Sequence, residues 1–292
     1  MNFDNPAWTA TPVRTGVRVV MSLLRRRMPL LRRLSVPYDG GRSLIYADLA
    51  TPLGLELYRY GHQDPDLDLI GRLLAPGDTF VDGGANVGLF TLVAAERVGK
   101  LGKVLAFEPG GAVRSQLLQN VLLNGFQQVA VMPFAISSHS GEASFRAFDV
   151  AGAGLNHLMP GDGEGGDVET VALTTLDQAI APPDRARLGL IKLDLEGAEH
   201  AALLGATEIL REIRPDILLE VEPAHLRRMG STAEDIGTLL GQHGYSFYRL
   251  NSSPEGNLSL RAIEGLESPA SSPNVFATVD PTRARDRGIS VV

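Results

Sequence analysis

An apolar strand that ends in an acid and runs directly into glycines dictates most of what this chain can become. The stretch Thr79-Phe80-Val81-Asp82-Gly83-Gly84-Ala85-Asn86-Val87-Gly88-Leu89-Phe90 reads as a buried strand, a glycine-rich turn and the start of an amphipathic helix. Glycines are needed there because a side chain would block close approach of a ligand to the backbone. The helix beginning near Gly88 offers unpaired N–H groups and the positive end of its dipole, which suits a carboxylate. Asp82, at the carboxyl end of the strand, is placed to meet the ammonium of an amino-acid ligand or to order a water to it. An amino acid joined to a nucleoside fits these groups better than a pyrophosphate does, and Gly83, Gly84, Ala85, Asn86 and Gly88 are the expected cradle.

Two other nucleotide motifs fail at their chemically essential positions. A dinucleotide turn wants G-x-G-x-x-G, and counting from Gly84 the required glycines are Asn86 and Leu89. A phosphate-binding loop wants G-x-x-x-x-G-K-[ST]. Gly83 and Gly88 have that interval, but Leu89 and Phe90 replace the lysine and hydroxyl residue.

Alternating short apolar runs and helix-length amphipathic segments indicate parallel βα units, hence an α/β fold. Strands are expected at Thr79–Asp82, Val104–Phe107, Val129–Phe134, Leu190–Asp194, Asp216–Val221, Tyr245–Leu250 and Asn274–Thr278. Helices are expected near Pro65–Leu74, Leu89–Val98, Gly111–Asn124, Ala198–Glu212 and Thr232–His243. The glycine-rich run Gly161–Gly166 marks a mobile surface insert near 149–168, flanked by strand-like Ala143–Phe148 and Glu169–Leu173. Asn251–Ser272 reads as a second loop, and Pro281–Val292 as an exposed tail. The second strand ends in Phe107-Glu108-Pro109, which puts Glu108 20 residues after Gly88, where an acid accepts both ribose hydroxyls. Ala135 and Ile136 follow the third strand as an apolar edge for an adenine ring.

The charge is unevenly spread. Between Asp4 and Asp39 stand seven arginines and no acid, so residues 1–38 carry +6 and the remainder −13 of the overall −7. An acidic body argues against nucleic acid as a partner, because phosphate binding needs clustered cations. No run of about 18 uncharged apolar residues is present, so no membrane-spanning helix is expected. Val17–Leu34 mixes Val, Leu and Met with Arg in helical spacing that Pro29 should break. This basic arm either packs on the body or makes peripheral contact with an anionic membrane through residues 14–34. With no cysteine, disulfides, thiolate metal sites and a cysteine nucleophile are excluded, and a reducing, cytoplasmic setting fits.

Asp82 to Gly88, Phe107-Glu108-Pro109, Asn120 to Asn124, Thr175-Leu176-Asp177 and Lys192-Leu193-Asp194-Leu195-Glu196-Gly197-Ala198-Glu199 together resemble the FkbM family of S-adenosylmethionine-dependent methyltransferases. The resemblance runs from about Asp64 to Ala277, with the motifs in the family's order. Gly83 departs from the Val or other apolar residue of many members, and residues 14–52 match no named family. The resemblance implies a class I methyltransferase (Rossmann-like) domain over 53–280, preceded by an arm and lead-in segment over 1–52. Its sheet would be seven-stranded and mostly parallel, the last strand antiparallel, with helices on both faces. It also implies S-adenosylmethionine as cofactor and O-methylation of a small molecule, sugar, glycolipid or polyketide-like natural product. A non-catalytic subunit that keeps the nucleoside pocket is the rival reading; the intact Asp82, Gly84, Gly88 and Glu108 weigh against it.

Side chains at i and i+2 of a strand share a face, so Lys192 and Asp194 point the same way, with Glu196 just beyond. Lys192 can neutralise Asp82 or Asp194, either at the reacting centre or as a buried ion pair fixing the sheet edge. An alcohol acceptor benefits from a base, for which Asp194, Glu196 and His157 are candidates. Asp194, Glu220 and Glu222, at neighbouring strand ends, could hold a divalent metal, although no diagnostic spacing predicts one. Tyr58-Arg59-Tyr60-Gly61-His62 could cover the cofactor, receive the acceptor, or form a lead-in strand packing aromatic rings.

Overall fold

A computed structural model describes residues 12–25, 27–147, 157–159, 167–253, 256–266 and 274–292. Its strands are β1 (Arg33–Tyr38), β2 (Ser43–Asp48), β3 (Thr79–Gly83), β4 (Lys103–Phe107), β5 (Val129–Met132), β6 (Phe134–Ile136), β7 (Gly141–Ala147) and β8 (His157–Leu158). They continue as β9 (Asp167–Thr174), β10 (Leu188–Leu193), β11 (Asp216–Glu220), β12 (Ser246–Ser252), β13 (Leu258–Ile263), β14 (Asn274–Thr278) and β15 (Ser290–Val291).

Among the described residues the main sheet has nine strands, in the order β15-β13-β12-β14-β11-β10-β3-β4-β5. The block from β5 to β11 is parallel throughout, and β14 runs antiparallel to both β11 and β12. Every residue of β3 and β10 is buried, as expected for central strands covered on both faces. Alternate residues divide between two cores. Val81, Leu105, Ile191 and Leu219 pack with Leu203, Ile209 and Ile236 on one face, while Phe80, Val104, Leu190 and Phe276 pack with Ile70, Ala94 and Val98 on the other.

The seven expected strands are all present, and the count differs because two more join them. β13 lies within the expected loop 251–272, where Leu258 and Leu260 turn into the core as an antiparallel partner of β12. β15 lies in the expected tail. There Ala284 and Ile289 are each 1% exposed and Arg283 approaches buried Asp216, so the segment is structured rather than loose. The single strand expected over Val129–Phe134 splits: β5 stays in the main sheet, and β6 leaves it for a four-stranded sheet ordered β6-β9-β7-β8. The helix expected over Ala198–Glu212 is two, Glu199–Leu204 and Thr207–Glu212. At their junction a Cβ on Gly205 would stand 2.2 Å from the Ser137 carbonyl oxygen, so the chain must bend around that contact. The insert at 149–168 lies mostly outside the described residues.

In the amino-terminal region a helix spans Pro12–Arg25 and a second starts with Pro29 at its first position, as a proline requires. β1 and β2 form a hairpin held to the helix Gly111–Asn124, whose Asn120 and Asn124 side chains bond the backbone of Tyr46 and Leu44. Tyr58 and Arg59 end the helix Pro52–Arg59 and do not form a strand. Among the described residues no helix is long and apolar enough to cross a membrane.

Candidate functional site

The carboxyl ends of β3, β4 and β10 surround a crevice floored by the glycine turn. Gly84 has φ +71°, and a Cβ there would lie 1.9 Å from the Asp194 carbonyl oxygen, so only glycine permits β3 and β10 to close this tightly. Gly88, at φ +101°, precedes the helix Leu89–Val98 and packs where a Cβ would meet Leu117 at 2.7 Å. Asn86 carries a positive φ of 50°, which its side chain supports by accepting from the Val87 N–H at 2.8 Å. Asn120, fully buried, ties the turn to the hairpin: its Nδ2 donates to the Val87 carbonyl at 2.8 Å and its Oδ1 accepts from the Tyr46 N–H.

Glu108 is 5% exposed and lines the crevice. Its Oε2 accepts from the Asn86 N–H at 3.0 Å and its Oε1 from the Gly110 N–H at 2.9 Å. Each oxygen keeps further acceptor capacity, so a vicinal diol can be taken by both. Burial pushes the Glu108 carboxyl up to about 7, against the opposing pull of the Gly110 and Asn86 N–H groups. Pro109, Ala135 and Ile136 also line the crevice, joined by Phe134, Phe145 and Leu158, so the small sheet supplies an apolar wall for a flat ring.

Asp82 is fully buried and does not line the crevice. Thr91 Oγ1 donates to its Oδ2 at 2.6 Å, and Lys192 Nζ stands 3.4 Å from its Oδ1. Asp82, expected to meet a ligand ammonium or to order a water to it, has its two oxygens facing a hydroxyl and an ammonium of the protein. Lys192 Nζ also donates to the carbonyls of Gly83 and Gly84 at 3.2 and 2.9 Å, lies 3.4 Å from Asp194 Oδ2, and sits 5.0 Å from the centre of the Phe90 ring. Burial alone would lower Lys192, but Asp194 and Asp82 outweigh it and raise it, so the ammonium persists. Through these contacts Lys192 ties the glycine turn to β10.

Beyond Lys192 the chain makes a tight turn held from below. Glu199, 1% exposed, accepts from the Leu195 N–H at 2.6 Å and from the Gly197 N–H at 3.3 Å. Gly197 has φ +110°, and a Cβ would be 2.3 Å from the His225 carbonyl oxygen. The motif thus has separate tasks for each residue: Lys192 clamps, Gly197 and Glu199 shape the turn, and Asp194 and Glu196 are presented to the crevice.

Glu196 does not stand alone. His225 Nδ1 is 3.0 Å from Glu196 Oε2 and 3.4 Å from Glu220 Oε2, and Arg228 donates to the Glu196 carbonyl at 2.7 Å. Burial and the neighbouring Glu220 push Glu196 up to about 7, with His225 opposing. Ligand-capable atoms of Glu196, Glu220 and His225 lie within 4.8 Å of one another, a different set from the Asp194, Glu220 and Glu222 layout read from sequence. Glu222 instead caps the helix Pro223–Arg228 by accepting from the Ala224 N–H. His157 lies in β8, paired with Arg146, and does not line the crevice where its neighbour Leu158 does. Thr91 and His225 escaped sequence reasoning. For His225 the available signal was a histidine just past the second Glu-Pro step, Glu222-Pro223.

The sequence profile of the Methyltransferase FkbM domain family matches residues 82–247. The AMB antimetabolite synthetase AmbE of Pseudomonas aeruginosa is 28% identical over 235 residues, which is 66% of this chain but 11% of that protein. The methyltransferase sdnD of Sordaria araneosa is 29% identical over 194 residues, 56% of this chain and 74% of that one. A solved structure, the methyltransferase FkbM from Methylobacillus flagellatus KT, shows 17% identity over 93% of this chain and 60% of its own, with a TM-score of 0.45.

Proposed function

The chain belongs to the FkbM family of methyltransferases, and from that premise we propose that it uses S-adenosylmethionine to methylate a hydroxyl of a small molecule, sugar, glycolipid or polyketide-like natural product. The observation carrying this reading is Glu196: a carboxylate facing the crevice beside Asp194, backed by His225 and Glu220. A basic carboxylate at that place is what an alcohol needs as its proton becomes acidic. One relative being an antimetabolite synthetase supports a small-molecule acceptor.

The cofactor supplies a methyl group on a sulfonium, whose thioether leaving group requires no protonation. The residues fit it: Glu108 would take the ribose hydroxyls, Ala135 and Ile136 would flank the adenine, and the turn Gly84 to Gly88 with the first N–H groups of its helix would receive the amino-acid end. Asp194, 44% exposed at its side chain, would add negative charge where the cofactor's sulfonium is received. Glu196 would accept the hydroxyl proton of the acceptor, and S-adenosylmethionine, when bound, would supply the methyl group. The rigid strand ends would hold acceptor and cofactor in a fixed relation, which would supply much of the acceleration.

The test is purified protein with methyl-labelled S-adenosylmethionine and a metabolite extract. Label in a small molecule as a methyl ether is the expected result. Label on nitrogen or carbon, or none while S-adenosylhomocysteine still binds, would overturn the hydroxyl reading.

A further inference from the structure

We propose that the outward face of the helix Pro12–Arg25, continued by Met28 and Leu31, docks on the surface of an anionic lipid bilayer. One side of this helix is seated on the body: Thr15, Val19 and Ser22 are buried, Arg59 donates to Ser22 Oγ at 2.7 Å, and Arg18 lies over the Tyr58 ring. The opposite side is not polar, as a water-facing side should be. Val17, Val20 and Leu24, spaced by three and four residues, are 58%, 58% and 59% exposed. Leu23, Met28 and Leu31 widen the stripe. A contiguous exposed apolar patch on a soluble protein marks an interaction surface.

Charge decides the occupant. Arg25 and Arg27 follow the stripe in the sequence, in a segment with no acid between Asp4 and Asp39, while Arg32 is engaged 3.4 Å from Asp48; the rest of the chain is strongly acidic. Apolar side chains entering the acyl boundary with arginines at headgroup level is the arrangement of an interfacial helix. An anionic surface attracts this end and repels the body, so one orientation is favoured. A second copy seated on the stripe would instead bring two arginine clusters together. The helix also walls a cavity of about 380 Å³ through Thr15 and Arg18, facing Tyr38, Arg59 and His62, so docking would hold that cavity next to the lipid surface.

Co-sedimentation of the full chain with vesicles of phosphatidylcholine alone, and with vesicles containing phosphatidylglycerol, tests the proposal. The unaltered protein should pellet with the anionic vesicles, less so in high salt. The triple variant Val17→Ser, Val20→Ser, Leu24→Ser and the double variant Arg25→Glu, Arg27→Glu should each lower partitioning about tenfold or more. Both should keep the wild-type thermal midpoint and S-adenosylhomocysteine binding, since none of these residues supports the core or the crevice. The proposal is overturned if the unaltered protein ignores anionic vesicles, if the triple variant pellets equally well, or if the triple variant only dissolves a dimer.

Discussion

Lys192 and Asp82 occupy paired positions on β10 and β3, their side chains 5% and 0% exposed and Nζ 3.4 Å from Oδ1. Because Nζ also reaches two carbonyls of the glycine turn and Asp194, a single buried cation joins the strand that begins the cofactor site to the strand that ends it. One lysine with two carboxylates leaves a local negative charge, carried at the crevice by the more exposed Asp194.

Removing that cation strands Asp82 in the core. Lys192→Met should cost about 3–5 kcal/mol of stability, the usual consequence of leaving one member of a buried pair uncompensated. Adding Asp82→Asn should recover much of the loss, since the unpaired charge is gone. Urea unfolding of both single variants and the double measures this, and strictly additive losses would show that the two side chains are not coupled.

On the proposed reading Glu108 would hold the ribose through charge-assisted bonds, while the Asn86 and Gly110 N–H groups fix its geometry. Glu108→Gln keeps the shape but loses the charge and one acceptor, so S-adenosylhomocysteine affinity should fall about a hundredfold, near 3 kcal/mol. Titration calorimetry reads the change directly. Affinity within about twofold of wild type would place the ribose elsewhere.

Much of this arrangement was legible in the sequence because its signals are local. The glycine turn, Glu108 at its strand end and the Lys192 and Asp194 pair each follow from neighbours a few residues apart. The Lys192–Asp82 pair was also anticipated, but the Thr91 hydroxyl that takes the other Asp82 oxygen was not, because that contact depends on how the following helix packs against β3. His225 was missed for the same reason: it meets Glu196 only through the parallel register of β10 and β11. β13 and β15 were hidden by polar, glycine-containing surroundings, since a strand added at a sheet edge needs few apolar residues to be recruited.

Gly84 makes the closest backbone approach in the site. Gly84→Ala must move the Asp194 carbonyl, which lies 1.9 Å from the added Cβ, and must also hold a left-handed φ. Loss of S-adenosylhomocysteine binding together with a lower thermal midpoint is expected. Gly111→Ala, where the nearest atom is the end of the Arg114 side chain at 4.0 Å, should leave both close to wild type. Unaltered binding by the Gly84 variant would show that the turn has room to spare.

If Glu196 is the proposed base, the rate should rise with pH through about 7, because Glu196, pushed there by burial and Glu220, would take the acceptor proton only as the carboxylate. His225 opposes that rise, so His225→Asn should move the midpoint upward, and Glu196→Gln should flatten the profile and lower the plateau about a hundredfold. Stability runs the other way. A carboxyl raised in the folded state contributes stability that is complete below its unfolded value and is lost as pH climbs through the folded one. Glu108 and Glu196, both at about 7, and Glu199, at about 8, share this sign, so the thermal midpoint of the ligand-free protein should decline from mildly acidic pH toward about 8. Initial rates at saturating cofactor and melting curves over the same buffers separate the two trends. A rate that falls across this window while Glu196→Gln follows the same curve would remove Glu196 from proton transfer and leave the crevice to alignment alone.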